Sequence, residues 1–317
     1  RILSMRALIF PGQGSQVIGM GKELSKTYPE ARAVFEEVDD ALGENLSKLI
    51  WEGELNELTL TKNAQPALMA TSMATLAALI VEGFTFQNFS FVAGHSLGEY
   101  SALASVGCLT VEDTAKLLRI RGNAMQNAVP VGDGAMAAIL GLDFLKVLEI
   151  AKEAAVEGIC DVANDNDPSQ AVVSGDREAV DRAIKISKDY GAKRAILLPV
   201  SAPFHCKLMF PAETVMKEAL SQVTIREPKI PIISNINAKP TTDPDLIKKQ
   251  LVEQVTGTVQ WRKSVLYMST HNIKEIWEIG AGKALSGMVR RIDKSIDTRA
   301  IIKIQDVIES MEFLNNS

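Results

Sequence analysis

FSFVAGHSLGEY, residues 89–100, is the stretch whose reading decides the fold. Phe89–Ala93 is an apolar run of the kind that forms a buried strand, and the small residues of Ala102–Val106 follow as a helix. Between them Gly94-His95-Ser96-Leu97-Gly98 matches G-x-S-x-G, a sharp strand-to-helix turn that carries a serine at its apex. Side chains at the two glycine positions would collide in so tight a turn. The geometry leaves the serine oxygen exposed at a helix N-terminus, where backbone N–H groups and the helix dipole favour developing negative charge. A glycine-rich turn whose serine merely caps the helix is the alternative. The strand before the motif and the helix after it favour a nucleophile.

Outward from this stretch, short β-rich runs alternate with helical patterns, which predicts an α/β fold with a parallel sheet and helices on its faces. Ala7–Phe10 reads as a strand ending at Pro11-Gly12-Gln13-Gly14-Ser15-Gln16, and helices are predicted over 28–42 and 66–82. Thr110 with Asp113 three residues on opens a further helix as a capping box, running to about Ala128. Next come a strand at Ala135–Leu142, a helix over 143–157, strands at Asp161–Ala163 and Ala171–Ser174, a helix over 176–191 and a strand at Ala195–Val200. That order, β-α-β-β-α-β, is the ferredoxin-like split motif. Gly132 and Gly134 mark its entry and Pro203 its exit, so residues 130–199 are expected to form a small domain inserted into a larger one of residues 5–129 and 200–317. The remainder reads as helices over 211–222, 243–256 and 261–271, with strands at Ile230–Ser234 and Glu275–Ile279.

Composition bounds the function classes. The 317 residues, 46% hydrophobic and 23% charged, suit a soluble globular protein with ample core. A net charge of −5 argues against a nucleic-acid partner, which would call for a basic excess. Three scattered cysteines, Cys108, Cys160 and Cys206, are too few for a disulfide framework or a metal site and fit a reducing cytosol. Arg1–Ser4 resemble a cloning remnant, and from Met5 the chain reads as a strand and a turn rather than a signal peptide. The longest apolar run, Pro66–Val81, is interrupted by Thr71, Ser72 and Thr75. It falls short of the ~20 apolar residues of a membrane span, so a buried core helix and no membrane partner are expected, with a cytoplasmic location.

A serine hydroxyl needs a base, and the chain has three histidines. His95 neighbours Ser96 in the turn and should point away from it. His271 closes a polar helix, which suits the surface. His205, in PVSAPFHC just after a strand and at the exit of the inserted segment, remains as the candidate base. No Asp or Glu stands in an obvious triad position. Of the two N–H donors an oxyanion needs, the elbow supplies Leu97, and the glycine-rich loop 11–16 is the obvious source of the second. A phosphate loop or a plain turn are the alternatives there, although the Gly-Lys-Ser/Thr of a Walker loop is missing. Arg121 shares a helical stripe with Leu117, Leu118, Ala124 and Met125, whereas Arg119 points to the polar side. An arginine in an apolar stripe either snorkels out or meets an anion: a substrate carboxylate held in bidentate fashion, or a structural ion pair.

FPGQGSQ (10–16), QPAL (65–68), GHSLGEY (94–100), RG-x-x-MQ (121–126), GAMAAILGL (134–142), VSAPFHC (200–206), TVQW (258–261) and EIGAGKALSGMVRRI (278–292) together resemble the malonyl-CoA:acyl-carrier-protein transacylases of bacterial fatty acid synthesis. The likeness runs from about Met5 to Ile292. It implies an α/β-hydrolase-like large domain with a ferredoxin-like insert, a Ser96–His205 dyad, an oxyanion hole from the N–H groups of Gln13 and Leu97, and Arg121 on the malonyl carboxylate. It also implies that the backbone carbonyl of Gln254 takes the place of the missing acid. Asn164 and Asn166 match asparagines lining the family's cofactor cleft, and Met125 joins the substrate-binding residues. Phe204 stands where many stand-alone members have a small residue; it resembles malonyl-selective acyltransferase domains of polyketide synthases and should disfavour an α-methyl substituent. Asp165 and Asp167 put negative charge beside those asparagines, which sits oddly with a phosphate-bearing substrate.

The expected cycle is ping-pong, with malonyl-CoA and acyl carrier protein as partners, coenzyme A thioester as substrate, and no metal or redox cofactor. A serine esterase or thioesterase on the same elbow, a polyketide-pathway acyltransferase and a non-catalytic carrier-docking module are the rival readings. Arg121 discriminates against a general hydrolase, which gains nothing from a buried cation beside its acyl pocket. Lys193, Arg194, Arg290 and Arg291 are read as solvated charge, with an acidic carrier as the alternative.

Overall fold

The computed structural model describes residues 5–317; Arg1–Ser4, read above as a cloning remnant, lie outside the described residues. The strands are β1 (Arg6–Phe10), β2 (Phe91–Gly94), β3 (Gly134–Leu140), β4 (Cys160–Asp167), β5 (Gln170–Asp176), β6 (Arg194–Leu197), β7 (Ile232–Ile233), β8 (Pro240–Thr241), β9 (Glu275–Ile279) and β10 (Asp297–Ile301). They form a six-stranded sheet in the order β10-β9-β1-β2-β7-β8 and a four-stranded sheet in the order β4-β5-β3-β6. In the larger sheet every neighbouring pair is parallel except β7 with β8. The smaller sheet is antiparallel throughout, and its order, second-third-first-fourth along the chain, is that of the ferredoxin-like split motif.

Central β1 shows why the strand signal was a continuous apolar run rather than an alternation. Leu8 and Phe10 enter the core on one face of the sheet, and Ala7 and Ile9 enter the core on the other. The small sheet splits in the same way. Ala137, Ile139 and Val173 pack with Val147, Ile150 and Val180 from its two helices, whereas Met136, Ala138, Ala163 and Val172 join the main core.

Several elements differ from the sequence expectations, each for a physical reason. β4 runs through Asp167 instead of stopping at Ala163, although Asn and Asp are poor strand formers. Two β-bulges interrupt its pairing with β5, and a bridge to Val259 supplies the missing ladder bonds: Val259 N–H donates to Ala163 O at 2.8 Å and Asp165 N–H to Val259 O at 2.9 Å. The aspartates that sat oddly in the sequence are ion-paired. Asp165 accepts two bonds of 2.9 Å from Arg262, and Asp167 accepts one of 2.8 Å from Arg291. Arg291 is thereby a tether of the small sheet to helix Ala284–Ile292, not a freely solvated charge. The helix expected over 28–42 is Pro29–Leu42, opened by Pro29 in its first turn, and a separate, unexpected short helix, Lys22–Thr27, precedes it. The strand at 230–234 shortens to two residues, and the unexpected edge strand β10 (DTRAI) carries too much charge to stand out as β-rich.

The helix Thr61–Val81 is long and apolar enough to cross a membrane, and it is buried in the core. It begins five residues earlier than expected and contains Pro66. A proline here removes the N–H that would bond to the carbonyl of Lys62. Arg119 fills the gap: its Nη1 donates to Lys62 O at 2.6 Å and to Asn63 Oδ1 at 2.7 Å. Replacing Arg119 by Met removes the donor to that carbonyl, which belongs to an exposed residue, and should lower unfolding stability by about 0.5–1.5 kcal/mol. Adding Pro66→Ala, which restores a helical donor, should recover part of the loss. Thermal or urea unfolding of the two variants checks this; equal stability of Arg119→Met and the parent contradicts it.

Candidate active site

The site lies where β1 and β2 end at the C-terminal edge of the large sheet, beside the small sheet. β2 closes at Gly94 and the next helix opens at Gly98, so the turn between them is three residues long. Ser96 at its apex has φ = 56°, the left-handed region that costs an L-residue roughly 1–2 kcal/mol. Both flanking glycines are sterically required. A Cβ on Gly94 would lie 1.8 Å from Gly98 O, and one on Gly98 would lie 2.3 Å from Phe10 O. Asn235, in the loop after β7, clamps the turn. Its Oδ1 accepts from Ser96 N at 2.9 Å and its Nδ2 donates to Gly94 O at 2.7 Å.

His205 comes to this turn from 109 residues away, with its Nε2 2.7 Å from Ser96 Oγ. It too holds a left-handed backbone angle, φ = 55°. Its Nδ1 lies 2.8 Å from Gln254 O. A carbonyl only accepts, so Nδ1 carries the proton and Nε2 faces Ser96 as an acceptor. The acid missing from the sequence is thus replaced by a backbone carbonyl. Burial, reinforced by the nearby Arg121 guanidinium, pushes the imidazole down to about 3, which keeps it a neutral base.

Arg121 is 1% exposed. Nη1 donates to Gln65 Oε1 at 2.7 Å, and Nη2 donates to Gln254 Oε1 at 2.9 Å and to Ser96 Oγ at 3.2 Å. The guanidinium also lies 5.5 Å from the centre of the Tyr100 ring, and its Nε has no partner. Among the described residues no carboxylate forms an ion pair with it, so the structural ion-pair alternative falls away. What remains is a fixed cation beside Ser96 with bonding capacity to spare.

A cavity of about 260 Å³ opens above these groups. Gln13, Ser96, Leu97, Arg121, Met125, Asn164, Phe204 and His205 line it, as the sequence reading grouped them. Neither Gln13 N–H nor Leu97 N–H donates to another described residue, which leaves both amides available. Asn164 Oδ1 is buried without a partner. Asn166 departs from expectation: it is 3% exposed, lies outside the cavity lining, and its Oδ1 sits 2.8 Å from His95 Nε2. In a regular strand Asn164 and Asn166 would share a face, and the bulge between Asp165 and Asp167 breaks that alternation. His95 is turned from Ser96 toward Asn166 and Trp261 and forms part of the wall, a link from small sheet to elbow that the motif did not suggest. His271 lies on the surface, stacked on Tyr267.

Sequence reasoning missed Asn235, Gln65 and Glu99 as parts of the site. The last two stand within quoted motifs, but nothing local tells which way they reach. Glu99 is buried, with Oε2 accepting from Asn235 N and Gln254 Nε2, both at 3.0 Å. Burial pushes its carboxyl up to about 7, against the pull of those donors and of Arg121. The assembly has the parts that a serine acyltransfer site would use: a serine hydroxyl, a neutral imidazole, two free amides and a cation in contact with the hydroxyl.

The acyl transferase domain family matches residues 7–281 of the chain. The malonyl CoA-acyl carrier protein transacylase of Bacillus subtilis is 45% identical over 300 residues, covering 94% of each chain. A crystal structure of the acyl-carrier-protein-S-malonyltransferase from Bartonella henselae superposes with a TM-score of 0.96 at 50% identity, covering 98% of this chain and 99% of that one. A malonyl-transacylase in complex with its holo type II PKS acyl-carrier protein gives 0.95 at 37% identity, covering 98% and 100%. On this likeness, over nearly its whole length, the chain belongs to the acyl transferase domain family and, within it, to the malonyl CoA-acyl carrier protein transacylases.

Proposed function

We propose that this enzyme moves a malonyl group from malonyl-CoA to the phosphopantetheine thiol of an acyl carrier protein through an ester on Ser96. The observation that carries the reading is Arg121: a buried cation with neutral partners only, 3.2 Å from the serine oxygen. A carboxylate one methylene away from the reacting carbonyl would meet it in bidentate fashion. An esterase or thioesterase has no use for such a charge.

His205 Nε2 takes the hydroxyl proton as Ser96 Oγ attacks the thioester carbon. The carbonyl oxygen, now an oxyanion, receives the N–H groups of Gln13 and Leu97. Collapse breaks the C–S bond, and the imidazolium returns its proton to the departing CoA sulfur. In the second half the carrier thiol gives its proton to His205, attacks the malonyl ester and releases Ser96. Gln254 O stabilises the imidazolium in both halves through Nδ1–H. Phe204, 7% exposed in the cavity wall, crowds the space an α-methyl group would need. Asn164, with its free Oδ1, suits an N–H of the pantetheine arm. The solved relative holding a type II PKS carrier supports a carrier protein as acceptor and keeps a polyketide role beside fatty acid synthesis. The three cysteines are free and buried, in keeping with a cytosolic location.

Loading of Ser96 is read by mass spectrometry after mixing with acyl-CoA. Ser96→Ala should give no malonyl adduct, and an unchanged adduct would rule the reading out. Arg121→Ala should lower malonyl loading roughly a hundredfold, as expected for lost charged hydrogen bonds, while acetyl loading is kept or rises. Equal losses for both acyl groups would remove Arg121 from the carboxylate. The lowered His205 sets a pH test with a neutral sulfonyl fluoride that modifies Ser96. Because the folded imidazole protonates only well below its ordinary range, inactivation should hold its plateau at pH ~6.5, where a free imidazole is half protonated, and fall only under more acid conditions. An acid limb centred at about 6.5 or higher contradicts this.

A further inference from the structure

Gln254 meets three parts of the site at once. Its backbone carbonyl holds His205, its side-chain Oε1 accepts from Arg121 Nη2 at 2.9 Å, and its Nε2 lies 3.0 Å from Glu99 Oε2, from Ser96 O and from Asn235 Oδ1. Glu99 in turn accepts from the backbone N–H of Asn235, whose side chain clamps the elbow. Glu99 and Gln254 are both buried, at 2% and 1% exposure, so these bonds are unscreened by water.

The arrangement sets a buried carboxyl and a buried guanidinium at opposite ends of one carboxamide, with no direct contact between them. A buried cation needs counter-charge nearby, yet a carboxylate bonded directly to Arg121 would occupy the donors that the substrate carboxylate requires. One amide between them resolves the conflict: its dipole is oriented by both ends, oxygen to the guanidinium and N–H to the Glu99 carboxyl. Arg121 is then held in place while its charge stays available on the cavity side.

We propose that Glu99 and the side chain of Gln254 are positioning residues for acyl selectivity: Glu99 orients the Gln254 carboxamide, and the carboxamide fixes Arg121 without neutralising it. The inference rests on the malonyl reading of the site above. It is separate from the role of the Gln254 backbone carbonyl, which any substitution at that position preserves.

The test exchanges the two side-chain chemistries. Gln254→Glu alone puts a carboxylate against Arg121, and the double variant Gln254→Glu/Glu99→Gln does so at unchanged volume and net charge. Both bonds to Glu99 end on Oε2, so a carboxamide at 99 keeps either the bond from Asn235 N–H or one to a carboxylate at 254, and a thermal melt establishes that each variant folds. The readout is kcat and KM of Ser96 loading with malonyl-CoA and with acetyl-CoA. The malonyl-to-acetyl ratio of kcat/KM should fall at least roughly tenfold in both variants, chiefly through the malonyl KM, as expected for loss of a charged hydrogen bond. A double variant that folds and keeps the parent ratio overturns the proposal, as does an equal loss for both acyl groups. Parent protein that loads no malonyl would instead fail the functional reading itself.

Discussion

Ser96 holds a backbone angle that an L-residue adopts only when its neighbours compel it, and the geometry of the site follows from that constraint. The turn closes because Gly94 and Gly98 carry no side chains where backbone oxygens already sit, and because Asn235 pins the turn at Gly94 O and Ser96 N. With Ser96 locked, its oxygen projects from the sheet edge toward His205 and Arg121. At the start of the following helix the N–H groups of Gly98, Glu99 and Tyr100 bond back to the turn carbonyls, while the N–H of Leu97 at the N-cap donates to no described residue. Strain at one residue is thus held by packing elsewhere, as is usual where a side chain is pre-set for function.

Charge is handled sparingly in this site. A dyad with a carbonyl partner avoids burying a second anion beside His205, and the neighbouring guanidinium then favours the neutral imidazole. The same guanidinium would be costly without compensation. Gln65 and Gln254 satisfy its Nη atoms, the Tyr100 ring faces it, and the nearest acidic group reaches it through an amide. A malonyl carboxylate on Arg121, as proposed, would complete the set of partners that the protein leaves open.

The small sheet forms one wall of the cleft, and β4 attaches it to the rest. Asp165 with Arg262, Asp167 with Arg291 and the backbone bridge to Val259 lie on one strand, and Asn166 between the aspartates reaches His95 of the elbow. These bonds set how far Met136, Asn164 and Leu198 stand from Ser96, and so the width of the cavity. The ion pairs that looked misplaced next to a phosphate-bearing substrate therefore serve the frame of the site.

The amino-acid sequence alone determined the parallel α/β sheet, the ferredoxin-like run of elements and the elbow. Each depends on residues close together in the chain: apolar runs, turn glycines, and steric exclusion within five positions. Arg121 also stood out locally, because a charge inside an apolar helical stripe is visible in any window of eight residues. Tertiary structure alone decided what those groups touch. Gln254 reaches Ser96 across 158 positions, Asn235 reaches it across 139, and Asn166 turns to His95 instead of the cavity because a bulge between Asp165 and Asp167 resets the alternation of β4. Hydrogen bonds between loops at a sheet edge depend on the path of the whole chain, and no local periodicity encodes that path.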